Sequence, residues 1–141
     1  MVKFVKSKIY FTFYFVVQNI CITFVVQKVI LKFTIMKLIT KEIASKLSKN
    51  PIYSTDGKSV KDVLVKFFNP YGVGTWLVFE AEKDGDDYLF FGAADLGYGF
   101  ELGYFSLSEL ASVRLLGRPA IERDMYMRNA KFNCATYSMV N

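Results

Sequence analysis

Glu101-Leu-Gly-Tyr-Phe-Ser-Leu-Ser-Glu-Leu110 is the stretch that decides the fold. Its first half alternates like a strand, and Ser106-Leu-Ser-Glu109 has the form of a capping box. In that motif the Ser hydroxyl accepts from the N–H three residues on, while the Glu carboxylate accepts from the N–H of the Ser. A strand that runs straight into a helix start fixes one corner of an α+β domain. Leu107, Leu110 and Ala111 supply the apolar stripe of the helix, Gly117 suits its exit and Pro119 prevents its continuation.

Outward from that corner the pattern stays regular. Asp95-Leu-Gly-Tyr-Gly99 reads as a loop, and Tyr88–Ala94, apolar on both faces, as an interior strand. Lys83-Asp-Gly-Asp86 carries a hairpin signal. Thr75–Glu82 alternates, with Leu77, Phe79 and Ala81 on one face and Trp76, Val78 and Glu80 on the other. Ser59–Phe68 alternates in the same way, Val63, Val65 and Phe67 against Asp62, Leu64 and Lys66. Thr40 caps a short helix through Leu47 that shows Ile39, Ile43 and Leu47 on one side, and Asn50-Pro51 ends it. Beyond the central corner, Ala120–Met127 gives a last strand, and residues 129–141 form a polar tail expected to fray. The order is α-β-β-β-β-α-β: an antiparallel sheet of about five strands with two short helices packed on it.

The formal charge of +5 over 141 residues is unevenly placed. Residues 1–36 hold five lysines and no acid, whereas 37–141 hold 13 basic and 13 acidic residues. A neutral domain argues against nucleic-acid binding through a basic face. There is no histidine, which removes the usual general base and the commonest metal ligand. Cys21 and Cys134 match no zinc or redox spacing, and no cofactor or metal is implied.

Residues 1–35 form a hydrophobic, lysine-flanked leader. Ile9–Gln27 is an uncharged run long enough to span a bilayer, although Gln18, Asn19 and Thr23 fall at its centre. If it spans, the lysines that follow keep the domain in the cytoplasm. A signal peptide would need a small-residue cleavage site, which is not there. Repetition of Phe15-Val-Val-Gln18 as Phe24-Val-Val-Gln27 around Gln18-Asn19 also permits a strand pair. The composition shifts abruptly at Met36, and the preferred expectation is a native start there, with translated A/T-rich sequence before it and a cytoplasmic domain over 36–128.

Five residues stand out as candidate binding groups: Trp76, Glu80, Glu101, Tyr104 and Arg123. Aromatics beside carboxylates on a sheet face can hold a peptide or a base. Arg123 falls on the side of Ile121 and Met125, so it needs a carboxylate partner, with Glu101 or Glu109 as candidates. The acidic loop Asp84, Asp86, Asp87 reads as a solvated hairpin tip, and the Gly72-Val-Gly74 and Gly97-Tyr-Gly99 pairs as turns. No activated nucleophile is visible, so no catalytic residue is assigned.

The chain from Met36 to about Met127 resembles the bacterial domain of unknown function 2958. The resemblance rests on Met36-Lys-Leu-Ile-Thr40, Val65-Lys-Phe-Phe-Asn-Pro70, Gly74-Thr-Trp76, Leu89-Phe-Phe-Gly92, Glu101–Leu110 and Ile121-Glu-Arg-Asp-Met-Tyr126. It implies a domain of about a hundred residues, often carried on plasmids and other mobile elements, with no established activity. The leading expectation is therefore a non-enzymatic accessory protein that binds an unknown protein or peptide. A single-stranded nucleic-acid binder using an aromatic sheet face comes second, and a carboxylate-dependent enzyme third.

Overall fold

The structure is a computed structural model that describes residues 21–35 and 38–140. The chain falls into two compact units that divide between Phe33 and Thr34. In the first, residues 21–33 are helical, part of helix α1 (21–35), and Ile22, Phe24, Val25, Val26, Val29 and Phe33 are exposed. No helix among the described residues is long and apolar enough to cross a membrane. Most of the Ile9–Gln27 run lies outside the described residues. The part inside is helical and not a strand, pairing its own backbone groups without a partner chain.

The second unit is α+β. Helix α2 (Lys41–Ser48) starts at Thr40, whose side chain accepts from the Ile43 N–H, and it buries Leu47 completely. Strands β2 (Val65–Phe68), β3 (Thr75–Asp84), β4 (Asp87–Asp95), β5 (Phe100–Ser106) and β8 (Glu122–Arg123) form an antiparallel sheet in the order β5-β4-β3-β2-β8. Helix α3 (Leu107–Ser112) begins on the anticipated capping box: Ser106 accepts from the Glu109 N–H at 3.1 Å, and Glu109 accepts from the Ser106 N–H at 2.8 Å. Asp87 completes this corner by accepting from both the N–H and the hydroxyl of Ser108. The hairpin-tip acid is thus a second cap for the helix and not only a solvated group.

Four features depart from the strict alternation of the sequence. First, Ser59–Phe68 is not one strand. It breaks at Val63-Leu64 into β1 (Val60–Asp62) and β2, and both corner residues are buried. Their N–H groups turn to different partners, the Ala130 carbonyl for Val63 and the Val78 carbonyl for Leu64. Second, β3 and β4 shift register between Val78 and Glu80. The extra residue, Phe79, is a bulge, and it moves Glu80 to the sheet face opposite Val78. Gly92 lies across from this point, where a Cβ would sit 1.8 Å from the Leu77 carbonyl oxygen, so the close approach of the strands requires glycine.

Third, Gly117 does not end a helix. Helix α3 stops at Ser112, and Leu116-Gly117, both with positive φ, form the tip of a small hairpin between β6 (Arg114–Leu115) and β7 (Arg118–Pro119). Fourth, the last strand is only two residues long, because the Asp124 side chain captures the N–H groups of Tyr126 and Met127 and turns the chain. The polar tail is ordered in turn. Strands β9 (Lys131–Asn133) and β10 (Ser138–Val140) join β1 in a three-stranded sheet that buries Phe132 completely. Phe132 stacks on Phe79 at 5.4 Å and meets the edge of Phe100 at 5.3 Å. This small sheet closes one side of the main sheet over Leu77, Phe79 and Ala93.

Candidate functional site

Register sorts the five singled-out residues into two groups. Directly opposed residues in adjacent strands point to the same face. Arg123, Phe67, Trp76, Ala94 and Glu101 are successive partners across the sheet, so they form one row on one face. Glu80, Phe91 and Tyr104 form a row on the other. Trp76 and Glu80, which plain alternation puts on one face, are therefore set on opposite faces by the Phe79 bulge.

The Glu80 row is a closed polar nest. Past Val78 the strand loses β2 as its neighbour, and the chain after α2 takes that place: the Asn50 carbonyl accepts the Ala81 N–H at 2.9 Å. Glu80 is 1% exposed. Its carboxylate accepts from the N–H of Tyr53 at 2.7 Å and of Thr55 at 2.8 Å, and closely from the Thr55 hydroxyl. Lys61, also buried, donates to the Thr55 carbonyl and hydroxyl oxygens, each at 2.6 Å. Its ammonium stands 3.9 Å from Glu80 and 5.7 Å from the centre of the Phe91 ring. Burial alone would raise the Glu80 pKa, but the bonds from Thr55 and Tyr53 and the charge of Lys61 outweigh it. The carboxyl is held below its ordinary value and stays ionised.

Tyr104 lies at the rim of this nest, about half exposed. Desolvation, the neighbouring Tyr53 and the carboxylates of Glu80 and Asp56 raise its phenol above the ordinary value. Tyr53 itself has a φ of 71°, a left-handed conformation costly for a bulky residue, and its N–H is bound to Glu80. A lone acid inside the apolar run Leu77-Val-Phe-Glu-Ala81 was the one sequence signal for this nest. Tyr53, Thr55 and Lys61 gave none.

The Arg123 end of the other row is open. A groove of about 380 Å³ lies between α2 and the β2–β8 side of the sheet. Ile43, Met125 and Met127 give it apolar wall, and Glu42, Lys46, Arg123 and Asp124 its charge. Lys46 is tied to the Leu64 carbonyl at 3.1 Å. Asp124 pairs with Lys66 at 3.2 Å. Burial acts to raise the Asp124 pKa, but the Tyr126 N–H and Lys66 lower it further, so it stays ionised. Arg123 is half-buried and uses one nitrogen to donate to the Leu38 carbonyl at 3.1 Å. Among the described residues it makes no ion pair. The expected carboxylate partners are elsewhere: Glu109 is bound to Ser106, and Glu101 is four strands away, roughly 19 Å at the usual strand spacing.

Trp76 is half-buried, its ring packed where a Cβ on Gly74 would stand. Glu101 is exposed on the edge strand. Neither lines the groove. The aromatic run Phe67, Phe90 and Phe105 is buried, with ring centres 5.9 and 5.6 Å apart.

One family model matches the chain, that of a protein of unknown function, DUF2958, over residues 38–140. The match includes β9 and β10, so the ordered tail belongs to the family's pattern. Neither a curated protein nor a solved structure matches.

Proposed function

The chain belongs to the DUF2958 family, and from that premise we propose that it is a non-enzymatic binding domain that holds a protein or peptide partner in the groove beside α2. We further propose, from the family resemblance, an accessory role on a plasmid or other mobile element. One observation carries the binding reading: among the described residues Arg123 lines an open groove with one backbone acceptor and no ion pair. The groove's own acids are Asp124, which is paired with Lys66, and Glu42 in the first turn of α2. A guanidinium has five N–H donors in a planar fork that fits a carboxylate in two parallel bonds. Ile43, Met125 and Met127 beside it offer an adaptable apolar wall. The matching ligand is a short segment with a carboxylate next to apolar side chains.

The competing readings have less support. Stacking bases along a strand needs a row of free aromatic faces beside basic residues. Phe67, Phe90 and Phe105 are buried, and the exposed Tyr53 and Tyr104 adjoin the carboxylates of Glu80 and Asp56. A general base needs a free carboxylate with a raised pKa, whereas Glu80 is fully bonded and lowered. The test is fluorescence anisotropy with a panel of labelled acidic-hydrophobic peptides of about eight residues. Members of the panel bind, and Arg123→Ala weakens them at least tenfold, the equivalent of about 1.4 kcal/mol. Equal binding by the variant, or no binding at millimolar protein, overturns the assignment.

A further inference from the structure

The sheet has two edges, and the protein treats them differently. At one end β8 is two residues long and is stopped by the Asp124 turn. The stretch of β3 that runs past β2 is covered by Asn50 and the Tyr53–Thr55 loop. Short, bent or covered edges are how proteins prevent strand addition. At the other end β5 is seven residues long, pairs with β4 without a register shift, and carries no lysine, proline or bulge. Its one charge is Glu101.

The outward backbone groups of β5 can be identified. Antiparallel pairs alternate between hydrogen-bonded and non-bonded. Asn69 donates to the Gly74 carbonyl and Asp124 to that of Lys66, which fixes the phase across the sheet. By that phase Glu101, Gly103 and Phe105 bond to β4, while Phe100, Leu102, Tyr104 and Ser106 point outward. The Ser106 N–H is taken by Glu109, which agrees with this assignment. Among the described residues, no backbone bond satisfies the outward groups of Leu102 and Tyr104.

We propose that β5 pairs antiparallel with β5 of a second copy of this chain, about a two-fold axis at Gly103, to make a continuous ten-stranded sheet. Two-fold pairing is isologous, so one strand must complement itself. Centred on Gly103, each Leu102 faces the second copy's Tyr104, and these are the residues whose outward N–H and C=O groups then bond across the interface. The same register sets each Glu101 against the second copy's Phe105, which keeps the two acids four residues apart, about 14 Å along the strand. A register centred on Glu101 would oppose like charges. At the axis the glycines face each other in a non-bonded pair with Cα atoms about 4.5 Å apart. A Cβ on Gly103 meets nothing within 4 Å in a single copy, so its environment leaves room for a side chain in the monomer.

That room supplies the test. Gly103→Asp places two carboxylates opposite each other at the axis and leaves the monomer fold intact. Sedimentation equilibrium is expected to show a dimer for the wild type and a monomer for Gly103→Asp, with matching circular dichroism. Amide hydrogen exchange gives the second reading: Leu102 and Tyr104 are slow in the wild type at high concentration and at least tenfold faster on dilution, while Gly103 stays slow. A wild-type monomer at several hundred micromolar overturns the proposal. So does a dimer in which the Leu102 and Tyr104 amides exchange freely. If Gly103→Asp fails to fold, the exchange pattern of the wild type decides alone. The Arg123 groove lies at the opposite end of the sheet, so peptide binding and pairing succeed or fail separately.

Discussion

The two faces of one sheet each carry a buried or half-buried charge, and the difference lies in what surrounds it. Glu80 has three donors and a lysine around it, and its neighbour Lys61 has two oxygens of Thr55. Arg123 has one carbonyl and an open groove. A charge whose bonds are all made inside the protein holds the fold, here by fixing the Tyr53–Thr55 loop to β3. A charge with donors left over and room in front of it is available to a ligand. Tyr53 is strained for the same reason: its N–H is drawn into the carboxylate, so the strain belongs to the loop closure.

The largest expected effect is on the closed side. Glu80→Gln replaces an acceptor by an amide facing the Tyr53 and Thr55 donors and leaves Lys61 buried without its counter-charge. Removing one partner of such a pair costs about 3–5 kcal/mol. Urea unfolding followed by tryptophan fluorescence from Trp76 measures it. A loss below about 1 kcal/mol would mean that the nest is not structural and would return Glu80 to the list of ligand contacts.

The nest also sets a pH dependence of intermediate size. Glu80 has its pKa lowered on folding from the ordinary 4.5, and Asp124 from 3.8. A depressed carboxyl pKa gives stability that is fully present above the unfolded value and disappears as pH falls through the folded one. Stability should therefore be flat from neutral pH to about 5 and decline below it, with the Glu80 share starting first. Melting temperatures taken from pH 7 to pH 3 should fall in the wild type and fall less steeply in Glu80→Gln. Parallel slopes would show that Glu80 is protonated alike in both states.

Much of this was legible in the sequence. The Ser106–Glu109 box, the Asp84–Asp87 hairpin and the antiparallel five-stranded sheet rest on local patterns that tertiary structure preserves. What was not legible was non-local. The Phe79 bulge depends on the fit of Gly92 against Leu77, and it reverses the face of Glu80 with no change in the alternation of letters. Phe132 is a lone large apolar residue in a polar stretch, and its strand finds β1 some seventy residues earlier. Arg123 lies opposite the buried Phe67 across the sheet. Its groove could not be seen, because Ile43, Lys46 and Met125 come together only when α2 is laid beside β8.

The smallest expected effect is on the open side, and it separates the two roles most cleanly. Arg123→Ala removes one hydrogen bond, to the Leu38 carbonyl, and part of a half-buried stem. A hydrogen bond to a charged group contributes about 1.5–3 kcal/mol when desolvated and less where water replaces it, as an open groove allows. Stability should therefore drop by only about 1 kcal/mol in the same urea experiment. Leu38 lies ahead of α2, so a larger loss would mean that Arg123 clasps that segment to the sheet, as Glu80 clasps its loop. The contrast between a satisfied face and an available one would then collapse. A small loss together with weakened peptide binding would leave Arg123 as a group that the fold holds ready but scarcely uses.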